Sequence, residues 1–107
     1  MNASLRAALN DRERLLVAQT EPGALAGLDQ DAAMDLHTRV RRARDKHVSL
    51  YRRAASARVA EEGGRDAAHP DNARAAAKAE AFEQALSRVS RRLAVLARES
   101  AAALRAE

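Results

Sequence analysis

Basic residues hold most of the chemical promise in this chain. Arg39, Arg41, Arg42, Arg44 and Lys46 crowd eight consecutive positions, and Arg88, Arg91 and Arg92 form a second cluster. A guanidinium presents a planar fork of donors that matches the oxygens of a phosphate, so arginine in quantity points to anion binding. The charge is unevenly placed. Residues 36–60, including Arg52, Arg53 and Arg58, carry eight bases against one acid, Asp45. Residues 72–107 carry a net +3, while residues 1–35 and 61–71 each carry −3, for a total of +4. Such a cluster repels itself unless an anion or a partner's acids lie against it. Nucleic acid is the commonest polyanion, so the expected ligand is the backbone of DNA or RNA, bound by a nucleoid- or ribosome-associated accessory protein. Binding of that kind is salt-dependent and indifferent to base sequence. The alternative is a coiled-coil-like interaction or self-assembly module with no nucleic-acid role. Seventeen Arg against two Lys, in a chain with 28 Ala, also fits a high-GC genome, which weakens any argument from the choice of Arg alone.

Other chemistry finds little support. There is no Cys, hence no thiolate nucleophile and no disulfide framework. His37 and His47 lie ten residues apart, too far along one helix to share a metal, and His69 precedes a proline in a turn. Ser49, Ser56, Ser87, Ser90 and Ser100 have no evident His and carboxylate constellation, and no Gly-rich phosphate loop exists. One Phe, one Tyr and no Trp cannot make a base-stacking platform. The expectation is a non-enzymatic protein with no cofactor, no metal and no small-molecule substrate. No apolar run approaches the ~20 residues of a membrane span, so no membrane role and a cytoplasmic location are expected.

The elements that position these residues follow from periodicity. Ala, Leu, Arg and Glu favour helix, and only four Gly and two Pro interrupt the chain. An all-α single domain is expected. Leu36, Val40, Ala43, His47, Leu50, Ala54 and Ala57 recur at gaps of 4 and 3, a heptad seam. So do Ala75, Ala79, Phe82, Leu86, Val89, Leu93, Leu96, Ser100 and Ala103. Two long helices, over about 30–62 and 72–106, should therefore fold into an antiparallel hairpin across a turn at 63–71 that contains Gly63, Gly64 and Pro70. The expected register sets Leu36 against Leu96, His47 against Leu86 and Leu50 against Phe82. It brings Arg88, Arg91 and Arg92 beside Arg44, Arg42 and Arg41 in one belt. Asp29 is the expected N-cap of the first long helix. A short helix over residues 1–19, then a connector at 20–29, should cover the open end of the hairpin against Val95, Ala97, Ala101 and Leu104, giving a three-helix bundle. Large apolar side chains are few for a chain of this length, which favours a homodimer or another helical partner.

Overall fold

A computed structural model of the chain describes residues 2–62 and 70–107. The described residues form five helices: α1 (Ala3–Ala8), α2 (Asp11–Ala18), α3 (Pro22–Ala26), α4 (Gln30–Glu62) and α5 (Pro70–Ala106). No strand occurs among them. The helical hairpin of α4 and α5 is present, and α1, α2 and α3 pack on it as a third layer, chiefly against α5. The molecule is long, 64 × 22 × 17 Å, with a radius of gyration of 17.3 Å. A compact chain of this length would have about 13 Å. Of the expected turn at 63–71, residues 63–69, with Gly63, Gly64 and His69, lie outside the described residues, while Pro70 and Asp71 already belong to α5.

Local chemistry explains why the first 28 residues are three helices where one was expected. Asn2 caps α1, its Oδ1 accepting the Leu5 N–H at 2.9 Å. Leu9 turns extended (ψ 144°), and Asn10 begins again as an N-cap. Asn10 Oδ1 accepts the Glu13 N–H at 2.8 Å, and Glu13 Oε1 accepts the Asn10 N–H at 2.8 Å. This reciprocal capping box satisfies two amides that a fresh helix would leave unpaired, so it offsets the break. Arg14 Nε donates to the Arg6 carbonyl at 3.1 Å and holds α1 beside α2. The expected connector contains one short helix, with Pro22 at its first turn, where the missing N–H costs nothing. Asp29 acts as expected, its Oδ1 accepting the Ala32 N–H at 2.8 Å.

The core joins both layers. Leu36 and Val40 of α4 meet Phe82, Ala85 and Val89 of α5, while Leu5, Leu9, Val17 and Leu25 come in from the N-terminal layer. Ala81 and Ala85 are fully buried, and their small side chains let a third helix approach α5 closely. The middle of each expected seam is packed, Leu36 to His47 on α4 and Ala79 to Leu93 on α5, but Leu50, Ala54, Ala57, Ser100 and Ala103 are exposed, and the register differs by one seam step. His47 stacks on Phe82, four residues before Leu86, with ring centroids 5.1 Å apart and planes 4° from parallel. Arg44 reaches Glu83, and Ser100 Oγ donates to Gln30 Oε1 at 3.2 Å. A 4-3 repeat makes adjacent steps nearly equivalent in shape, so polar pairs decide between them. The third layer also sits higher than the open end. Glu13 of α2 meets His47 and Lys78, and Thr20 meets Arg88. Ala97 and Leu104 remain exposed, Leu104 by 69 %.

Candidate nucleic-acid interface

The structure divides the eight basic residues among separate surfaces. Arg39 faces the N-terminal layer: its Nε donates to Asp35 Oδ2 at 3.0 Å and its Nη2 to Gln19 Oε1 at 3.1 Å. Arg44 lies in a groove with Asp45, Val48, Ser49, Arg52 and Glu83. Its Nη1 donates to Glu83 Oε1 at 2.8 Å and its Nε to Asp45 Oδ1 at 2.7 Å. The Glu83 bond foremost, helped by Asp45 and opposed by burial, raises the affinity of this guanidinium for its proton. Arg88, like Arg39, reaches the N-terminal layer, where its Nε donates to the Thr20 carbonyl at 3.0 Å and its Nη2 to Thr20 Oγ1 at 2.7 Å. Arg91 and Arg92 join Arg88 against α3, lining a groove with Pro22, Leu25 and Ala26. The single belt is therefore absent. With the register moved and α2 and α3 lying along α5, the arginines of α5 face α3 and those of α4 stay behind.

What remains on α4 is a ridge. Arg41, Arg42, Lys46, Arg52 and Arg53 are exposed, and within the described residues none makes a hydrogen bond or ion pair. At 1.5 Å per residue, positions 41 to 53 span about 18 Å. Arg42, Lys46 and Arg53 fall at helical spacing on one stripe. The nearby acids are engaged elsewhere, Asp35 with Arg39 and Asp45 with Arg44. Arg58 lies outside the residues whose side chains the structure describes.

A polar centre that the sequence reading missed pins α2 to the hairpin. Glu13, with a side chain 13 % exposed, accepts from Lys78 Nζ at 2.9 Å and from His47 Nε2 at 3.0 Å. Burial alone would raise the pKa of Glu13. The Asn10 amide, the Lys78 hydrogen bond and charge, and the charge of His47 together outweigh burial and hold it below the ordinary carboxylate value. Burial lowers the pKa of His47, reinforced by Lys78 and Lys46 and opposed by Glu13. His47 is thus disposed to stay neutral and to donate its Nε2–H to the carboxylate. The seam placement of His47 was legible, but its ring packs on Phe82 where Leu86 was expected, and its Nε2 meets Glu13. The available signal was Asn10-x-x-Glu13, a capping-box pattern in the middle of a stretch read as one helix.

Among the described residues no cluster of His, Asp and Glu could hold a metal ion, and no helix is long and apolar enough to cross a membrane. No protein-family model, curated protein or solved structure matches this chain.

Proposed function

We propose that this is a non-enzymatic protein that binds the phosphate backbone of nucleic acid along the α4 ridge, through Arg41, Arg42 and Lys46 with Arg52 and Arg53 beside them. The observation that carries the reading is five exposed cations over about 18 Å of one helix, with no described acid paired to any of them. Folding gives no reason to keep such a ridge, since like charges at helical spacing repel. A polyanion laid along it would remove that repulsion and release counterions. Arg39 and Arg44 flank the ridge as paired residues, so their role is to shape its edge. Arg88, Arg91 and Arg92 stand on another surface and do not belong to this interface. A nucleoid- or ribosome-associated place in the cytoplasm is the setting that suits such a protein.

The test is fluorescence anisotropy with duplex DNA, single-stranded RNA and structured RNA across a salt series. For duplex DNA, five phosphate contacts would give a slope of log affinity against log salt of about −4 to −5. Replacing Arg41, Arg42 and Lys46 together by Gln should reduce that slope to about −2. Binding that ignores salt, or survives the triple replacement unchanged, overturns the reading.

A second reading, homotypic association, draws on different residues. Leu15, Leu50 and Leu104 are 68 %, 44 % and 69 % exposed, and an elongated hairpin leaves much helix surface uncovered. Sedimentation of the same samples separates the two readings, because self-association through apolar residues would not weaken with salt.

A further inference from the structure

The groove between α3 and α5 sets an apolar wall against a basic one. One wall is apolar: Pro22, Leu25 and Ala26. The other is Arg88, Arg91 and Arg92, placed at i, i+3 and i+4 on α5, and no acid lines the space between the walls. The groove encloses about 360 Å³. Three guanidiniums that line one groove with no acid among its lining residues repel one another.

Their hydrogen bonding divides the labour. Arg88 is held fast by Thr20, through Nε and Nη2. Thr20 is itself fully buried and donates its hydroxyl to the Val17 carbonyl at 2.6 Å. Arg88 is therefore a fixed positive wall with Nη1 left over. The Nε of Arg92 is buried away from the groove and has no hydrogen-bond partner among the described residues, so the Nη groups are what Arg92 presents to a ligand. A buried donor without an acceptor is costly and rare in folded proteins. Arg91 is exposed and unpaired at the rim. What the groove offers a ligand is the guanidinium ends of Arg91 and Arg92 with Arg88 behind them, facing an apolar wall with no acid in its lining, which suits a multivalent anion carrying an organic group. A tetrahedral dianion serves several guanidinium forks at once, which a planar monoanionic carboxylate does less well.

We propose that this groove is a phosphomonoester site. Arg92 and Arg91 hold the phosphate oxygens, Arg88 supplies fixed charge behind them, and the organic group lies on Pro22, Leu25 and Ala26. The site is separate from the α4 ridge and does not depend on it. A small metabolite and the 5′-phosphate of a nucleic-acid strand share this chemistry.

The test is a heteronuclear NMR titration at constant ionic strength, with phenyl phosphate, inorganic phosphate and benzoate as probes. Phenyl phosphate should shift the amides of residues 22–26 and 88–92 and the Arg92 Nε–H resonance. It should bind several-fold tighter than either inorganic phosphate or benzoate. Arg92→Lys keeps the charge but removes the planar fork of Nη donors, and should weaken phenyl phosphate about tenfold. Arg91→Gln, at an exposed position, is the second variant in case Arg92→Lys perturbs the fold, and should also weaken binding. Arg42→Gln on the ridge should leave it unchanged. A trinucleotide with and without a 5′-phosphate then separates the sources: tighter binding of the phosphorylated form assigns the site to strand ends, and equal binding assigns it to small phosphomonoesters. Shifts spread equally over the α4 arginines, no preference for phenyl phosphate, or unaltered binding by both groove variants would overturn the proposal.

Discussion

Replacing Glu13 by Gln tests whether the N-terminal layer is clamped to the hairpin by charge. The substitution preserves shape and leaves an oxygen for the Asn10 amide, so the helix cap survives. It removes the negative charge shared by Lys78 at 2.9 Å and His47 at 3.0 Å. Removing one partner of a fully buried ion pair costs about 3–5 kcal/mol. Lys78 keeps 22 % of its side-chain surface in water, so its stranded charge is partly solvated, and a loss of about 2 kcal/mol is the reasonable figure. At ~2.1 cal/mol/K per residue, a chain of 107 residues unfolds with an entropy of about 225 cal/mol/K, so the midpoint should fall by about 9 °C. Thermal melting followed by far-ultraviolet circular dichroism at neutral pH and low salt measures this directly. The Lys78→Met and double variants complete the cycle and should be non-additive by about 1 kcal/mol. A midpoint change below about 2 °C, or strict additivity, would refute the clamp and leave packing alone holding α2 in place.

Acid should act in two stages. His47 has a folded pKa below its ordinary 6.5, so the unfolded chain takes that proton first and stability declines as pH falls below about 6.5. Glu13 has a folded pKa below its ordinary 4.5, so its contribution is complete above that value and is lost as pH falls through the folded one. Urea midpoints across this range should show both stages, and His47→Phe should abolish the upper one. Phe82→Ala empties the centre of the core under the His47 ring and should cost about 3–5 kcal/mol, enough to populate unfolded chains visibly in urea titrations. Arg88→Gln breaks both bonds to Thr20 and should cost about 1–2 kcal/mol, read as a lower urea midpoint with an unchanged slope.

The sequence was most legible where one signal acted alone. The 4-3 spacing of Leu36, Val40, His47, Ala79, Phe82, Leu86 and Val89 defined two long helices and the faces they bury, and the structure contains both. Hairpin register was less legible, because a repeated seam offers itself again every half heptad. The observed step brings together α4–α5 pairs invisible to periodicity, Arg44 with Glu83 and Gln30 with Ser100. The break at Leu9 and Asn10 was hidden because Leu5, Leu9 and Leu16 still read as one stripe across it. Burial of Ala81 and Ala85 was hidden too, since in a chain with 28 Ala no single Ala announces a third helix. The arginines misled for the same reason of plenty. Their number implied a belt, while their placement depended on the register and on where α3 lay.

The long reach of the N-terminal layer has a consequence for how the chain assembles as it is made. Glu13 is 65 residues from Lys78, and Thr20 is 68 residues from Arg88. Leu5, Leu9, Val17 and Leu25 leave a ribosome well before the surface that buries them, around Ala81, Ala85 and Val89. Local helices α1 and α2 can form early from their own caps, but they stay without a core until α5 is complete. Contacts of such separation slow folding relative to a plain two-helix hairpin. During synthesis the apolar segment of α1 to α3 therefore waits for its seat, and closure of the Glu13 clamp marks the end of that wait.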